Sequence, residues 1–218
     1  MMIKGVLWDM DGVLVDTGDF HYQAWRQTLD QYKLAYSREQ FNATFGMNNW
    51  SILELMLGPQ LDQDTYTRIS DQKEATFRQV IRGKVKPLPG AIKTLDQMRA
   101  RGIRQAIASC APPENIAALL EELHIQERFE AVVSGYAMAG KPAPDVFLAA
   151  ARAIGVATQN CLVIEDAVTG VKAAKRAGMA CLAVTNTHPA ESLGEADRVV
   201  DSLLEISEAD WEAMLRLV

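Results

Sequence analysis

Short apolar runs alternate with amphipathic stretches over most of the chain. Residues 3–8, 103–108, 161–164 and 180–184 are dominated by hydrophobic side chains and bounded by polar, Gly or Pro residues, with a weaker run at 131–133. This is the pattern of strands covered on both faces. Between the runs, Ile92, Leu95 and Met98 recur every third residue. Ile116, Leu119, Leu120 and Leu123 follow the three-and-four spacing of one helix face, as do Phe147, Ala150, Ala151 and Ile154. Strands alternating with helices predict crossover units and a parallel sheet.

Residues 15–84 break that alternation. Phe20, Ala24, Thr28 and Tyr32 make one helical stripe, and Tyr66, Ile69, Lys73, Phe77 and Val80 make another. Gly46 and the Gly58-Pro59 pair punctuate a region with no strand pattern. The expected architecture is therefore α/β. A Rossmann-like parallel-sheet core of residues 1–14 and 85–218 carries an inserted α-helical cap of residues 15–84. The chain leaves the core near Leu14 and returns near the Pro87-Leu88-Pro89-Gly90 turn.

Composition narrows the class of partner. The 218 residues are 49% hydrophobic and 23% charged, enough to bury a core without disulfides. A net charge of -6 with no Lys/Arg block argues against nucleic acid and against an anionic membrane surface. No apolar stretch is long enough to span a bilayer, and the first run, interrupted by Asp9 and Asp11, does not read as a signal peptide. Cys110, Cys161 and Cys181 lack CxxC spacing, so they read as thiols in a reducing cytosol rather than as a disulfide or zinc framework. The expectation is a soluble, cytoplasmic protein.

Chemistry concentrates where the apolar runs stop. The first ends in Trp8-Asp9-Met10-Asp11-Gly12-Val13. Residues two apart on an extended chain project to the same side, so Asp9 and Asp11 can face one cleft. Paired carboxylates repel unless a cation, a proton or hydrogen bonds relieve them, and Mg²⁺ suits oxygen ligands of this kind. The second run leads into Ser109-Cys110-Ala111-Pro112-Pro113, where a hydroxyl and free amides before a helix form a phosphate cradle or simply cap the helix. Gly140-Lys141-Pro142-Ala143-Pro144 holds one Lys on a stiff turn, either as a point charge for a phosphoryl oxygen or as a solvated surface Lys. Glu165-Asp166 follows the run at 161–164 and either completes the metal site or lends charge to a helix N-terminus. Each bland alternative stands alone, but four of them at four strand ends require four coincidences.

The ordered set Asp9-Met10-Asp11-Gly12, Ser109, Lys141 and Glu165-Asp166 resembles the four motifs of the haloacid dehalogenase superfamily. Asp16-Thr17, His21 and Trp25, with the helical insertion, resemble its β-phosphoglucomutase-like branch of phosphatases and mutases. Trp8 departs from the family's more usual Phe. The resemblance implies that Asp9 is the nucleophile and becomes an aspartyl-phosphate, and that Asp11 is the general acid–base. It implies Mg²⁺ held by Asp9, the backbone carbonyl of Asp11 and Asp166, with Glu165 a water-mediated ligand or an outer partner. Ser109, Cys110 and Lys141 would grip phosphate, and Thr17, His21, Asn48 and Asn49 would face substrate from a closing cap.

The mutases of this branch grip a second phosphate with cations in the cap turn, where this chain reads Phe45-Gly46-Met47-Asn48-Asn49. A phosphatase for a small phosphorylated metabolite is thus expected ahead of a mutase. A dehalogenase would not need Asp11 and Asp166. A phospho-receiver module would lack the helical insertion, and a non-catalytic binding module would not need every acidic group.

Overall fold

The computed structural model describes residues 2–44 and 47–216, and the Phe45-Gly46 pair lies outside the described residues. The chain divides into two compact units, Met1–Asp16 with Lys86–Val218, and Thr17–Val85. The boundaries fall one or two residues beyond those read from the sequence. The reason is local: Val15 still bridges to Asp11 and to Pro87, and Leu88 N donates to Leu14 O at 2.8 Å. These bonds stitch both connecting segments into the first unit.

The first unit is built on six parallel strands: β1 (Gly5–Trp8), β2 (Arg104–Ser109), β3 (Ala131–Ser134), β4 (Cys161–Glu165), β5 (Ala180–Val184) and β6 (Arg198–Val200). Their spatial order is β3-β2-β1-β4-β5-β6. The chain builds outward from β1 on one side, then returns to β4 and builds outward on the other. This reversal opens a crevice at the carboxyl ends of β1 and β4, the place where open α/β sheets bind ligands. The sixth strand was not foreseen; it is three residues long, starts with Arg198 and is only half-buried, so no apolar run marks it.

The second unit is helical: α1 (Gly18–Gln31), α2 (Arg38–Thr44), α3 (Asn49–Leu57) and α4 (Gln63–Val80). Its apolar core joins Trp25, Leu29, Tyr36, Phe41, Ile52, Leu53 and Ile69. The buried face of α1 is Ala24, Trp25, Thr28 and Leu29, one step around from the stripe through Phe20 and Tyr32, which are only half-buried. Asn48 and Asp62 cap α3 and α4 by accepting from Ser51 N and Thr65 N.

Back in the first unit lie α5 (Ala91–Ala100), α6 (Pro113–Leu123), α7 (Asp145–Ala153), α8 (Val168–Arg176) and α9 (Glu208–Met214). The alternation of strand side chains gives the sheet two apolar faces. Leu7, Ala106, Ala108, Val163, Cys181 and Ala183 share one cluster with Phe147, Ala150 and Ala151 of α7 and Val171 and Ala174 of α8. On the opposite face, Trp8 and Gln105 are both buried, and Trp8 Nε1 donates to Gln105 Oε1 at 3.0 Å. Gln105 Nε2 in turn donates to the Leu95 carbonyl of α5 at 3.1 Å. The tryptophan at position 8 thus brings a polar N–H into the sheet's interior, and Gln105 satisfies it. Among the described residues no helix is long and apolar enough to cross a membrane.

Leaving a buried donor without its acceptor costs about 1–3 kcal/mol, whereas removing both partners costs less. Gln105→Leu is expected to lower unfolding stability by about that amount. The double variant Trp8→Phe/Gln105→Leu should lose less than the sum of the two single changes, as read by urea denaturation. Additive losses would show that this bond contributes nothing.

Candidate active site

Asp9 follows the last residue of β1, and its N–H continues the ladder by donating to Ile164 O at 3.0 Å. The chain then turns at once: Gly12 N donates to Val15 O at 2.8 Å and Leu14 N to Met10 O at 2.9 Å. Gly12 sits at φ +78, which favours glycine. A Cβ there would also collide with Asp166 Oδ2 and lie 2.8 Å from Thr187 Oγ1. The turn after β1 therefore packs backbone against the carboxylate that follows β4.

Asp9, Glu165 and Asp166 are all buried, and one carboxylate oxygen from each lies within 4.8 Å of the others. Lys141 enters this cluster from the Pro-rich turn, whose Lys141-Pro142 peptide is cis. Its Nζ donates to Asp9 Oδ1, and to Glu165 Oε1 at 2.6 Å, while lying 4.8 Å from the Phe147 ring centre. Glu165 is held from the other side as well. Its Oε2 accepts from Asp166 N at 2.7 Å and Ala167 N at 2.8 Å. A Cβ on Gly170 of α8 would overlap that carboxylate, so α8 approaches so closely only because residue 170 has no side chain.

The Asp9 carboxyl is raised to about 7, by burial first, with Lys141 opposing and Glu165 and Asp11 adding to the rise. Asp166 is raised well above the usual carboxylate range by burial, then by Glu165 and Asp9. Burial works against the Lys141 charge, but Asp9 and Glu165 outweigh it and hold its pKa above that of an ordinary lysine. One ammonium cannot offset three carboxylates at close range, and the imbalance favours uptake of a proton or a cation. The donor set of hard, buried, convergent oxygens fits a small divalent cation of the Mg²⁺ type.

The structure thus brings together Asp9, Lys141, Glu165 and Asp166. Asp11 lies two residues further on, half-buried in the turn, and its side chain is not one of the three converging carboxylates. Ser109 ends β2, the strand beside β1, and its Oγ accepts from Ala111 N at 3.1 Å, shaping the loop that carries the exposed Cys110.

The helical unit holds a buried polar cluster of its own. Lys73 Nζ is 3.1 Å from His21 Nδ1 and 2.9 Å from Glu74 Oε1. The His21 ring stacks on Phe77 with centres 4.1 Å apart. The Asn49 amide donates to Glu74 Oε1 at 2.7 Å and Ser70 Oγ at 2.8 Å. Burial alone would raise Glu74, but Lys73 and the Asn49 amide outweigh it and leave its pKa lowered. Asn48 and Asn49 therefore direct polar atoms into their own unit, through the cap of α3 and the Glu74 contact, and Thr17 is buried with its carbonyl accepting from His21 N at 2.9 Å.

Lys73 belongs to the helical stripe through Tyr66 and Phe77, and Glu74 beside it was not among the expected site residues. A Lys-Glu pair set into the buried face of a helix was the available signal. Asn186 and Thr187 were not among the expected site residues either. Asn186 Nδ2 donates to Gly12 O at 2.8 Å, and Thr187 Oγ1 donates to Asp166 Oδ2. Polar residues directly after the apolar run of β5 follow the same rule that exposed the other four motifs.

Comparison with known proteins gives a consistent picture. The family model described as haloacid dehalogenase-like hydrolase matches residues 3–178. The β-phosphoglucomutase of Bacillus subtilis is 33% identical over 96% of this chain and 96% of its own length. The fructose-1-phosphate phosphatase YqaB of Escherichia coli is 35% identical over 80% of this chain and 93% of its own length. A mutant CbbY from Rhodobacter sphaeroides, solved in complex with xylulose-(1,5)bisphosphate, superposes with a TM-score of 0.85 at 25% identity, covering 94% of this chain and 97% of that one.

The raised carboxyls set a pH dependence. A carboxyl whose pKa is raised on folding lends stability below its ordinary value of 3.8 and loses it as pH rises through the folded value, about 7 for Asp9. Protein treated with chelator should melt at a lower temperature at pH 7.5 than at pH 5. Added Mg²⁺ should raise the melting temperature more at the higher pH, because the cation displaces the proton. A Mg²⁺ effect of equal size at both pH values would exclude protonation of the cluster.

Proposed function

Because the chain belongs to the haloacid dehalogenase-like hydrolase family, we propose that this phosphoryl-transfer enzyme is a Mg²⁺-dependent cytoplasmic phosphatase for a small phosphorylated sugar or a similar metabolite. The observation that carries the reading is the convergence of Asp9, Glu165 and Asp166 around Lys141 at the crevice between β1 and β4.

Asp9 attacks phosphorus in line and becomes an aspartyl-phosphate, splitting one difficult displacement into two. Asp11, two residues on, protonates the leaving alcohol and then takes a proton from the incoming water. Lys141 binds a non-bridging phosphoryl oxygen, and Ser109 with the Cys110 amide completes the grip. The ammonium of Lys141 also bridges Asp9 and Glu165, which orients the Asp9 carboxylate. Asp9, Asp166 and the Asp11 carbonyl would hold the metal, and Glu165, already engaged by three donors, would act through them rather than as a direct ligand. When bound, Mg²⁺ neutralises charge on the transferring group. Substrate choice is assigned to the helical unit, with Thr17, His21, Asn48 and Asn49. Asn48 and Asn49 act there through the shape they give the start of α3.

A second reading is a sugar-phosphate mutase, favoured by the near full-length similarity to β-phosphoglucomutase. The phosphatase is preferred because the sequence of residues 45–49 contains no Lys or Arg for a second phosphate, and because of the similarity to a fructose-1-phosphate phosphatase.

Asp9→Asn should abolish turnover of an aryl phosphate while the circular dichroism spectrum is kept; near-normal rates in saturating Mg²⁺ would remove Asp9 as nucleophile. Asp11→Asn should lose about 10²–10⁴-fold in kcat, the usual contribution of a general acid–base group. In a screen of sugar phosphates, including fructose 1-phosphate and glucose 1-phosphate, inorganic phosphate is the expected product. Isomerised sugar phosphate formed without phosphate release would establish the mutase instead.

A further inference from the structure

The loop after β5 touches both halves of the acidic centre. Thr187 Oγ1 donates to Asp166 Oδ2, and Asn186 Nδ2 donates to the Gly12 carbonyl at 2.8 Å. The absent side chain of Gly12 leaves the space in which the Asp166 carboxylate and the Thr187 hydroxyl meet. Asp166 is 4% exposed, and of its two carboxylate oxygens it is Oδ2 that takes the Thr187 hydroxyl. One oxygen of Asp166 is therefore tied down, in a carboxylate that converges with those of Asp9 and Glu165.

We propose that Thr187 is a positioning residue that makes Asp166 a one-oxygen ligand and so selects a small octahedral cation over a larger one. The inference rests on the metal-dependent reading above. Mg²⁺ requires near-ideal octahedral geometry with short bonds, whereas Ca²⁺ takes six to eight oxygens and accepts a carboxylate through both oxygens. A hydroxyl fixed on Oδ2 opposes the two-oxygen mode and holds the carboxylate at one angle. Outer-shell hydrogen bonds of this kind typically contribute about 10–100-fold to metal affinity. Asn186 supports the same geometry from the other side, since the carbonyl it holds belongs to the turn that follows Asp9.

Thr187 is itself exposed, so Thr187→Val keeps the shape of the loop without opening the core. Affinity is measured on substrate-free protein by Mn²⁺ titration with paramagnetic resonance detection, followed by competition with Mg²⁺ and with Ca²⁺. Thr187→Val should weaken Mg²⁺ by about 10–100-fold and Ca²⁺ by clearly less, while Thr187→Ser, which keeps the hydroxyl, stays within about threefold of the parent protein for both. Mg²⁺ affinity within about twofold of the parent in the valine variant, or equal losses for the two cations, would overturn the assignment and leave the metal site standing. A parent protein without saturable Mn²⁺ binding would overturn both.

Discussion

Three carboxylates share a buried space with one ammonium, and the rest of the molecule is arranged to make that tolerable. Like charges at this range force a proton or a cation into the cluster. The fold supplies the location through its strand order: Asp9 follows β1 and Glu165-Asp166 ends β4, and these strands are neighbours only because the chain reverses direction between them. Lys141 reaches the same spot from a rigid proline turn, which limits the conformations its long side chain can take.

Close packing at the centre depends on what is missing. Gly12 and Gly170 each stand where a methyl group would strike a carboxylate, Asp166 in one case and Glu165 in the other. The acidic groups are therefore fixed by direct contact with backbone, with Thr187 and the amides of Asp166 and Ala167 supplying donors. Such a site has little freedom to relax, which suits electrostatic stabilisation of a developing charge by groups already in place.

Much of this was legible in the chain because a buried parallel strand is an apolar run, and a run that stops on Asp, Ser or Glu announces where side chains emerge. Residues 180–184 match β5 fully, and the helix faces through Leu119 and Phe147 were visible as spacing. The rest lacked such a signature. β6 is too short and too exposed to differ from a loop. In the helical unit, the stripe of α4 through Ile69, Lys73 and Phe77 is buried, but the face is wider than its spacing showed: Ser70 and Glu74 lie inside with Lys73 because they are satisfied by one another and by Asn49 and His21. Pairing of that kind is a property of three dimensions and leaves only a faint mark in one.

The separation of Asp9 from Asp166 along the chain carries a thermodynamic corollary. Their oxygens approach one another only when the first and fourth strands are paired, an arrangement an unfolded polypeptide does not sustain. An ion captured between them is consequently a ligand of the native state alone, and adds to folding free energy as the logarithm of its concentration over its dissociation constant. With such an ion bound, conformational stability would be tied to the ionic composition of the surroundings, and weakening of the central strand pair would be partly compensated wherever that ion is abundant.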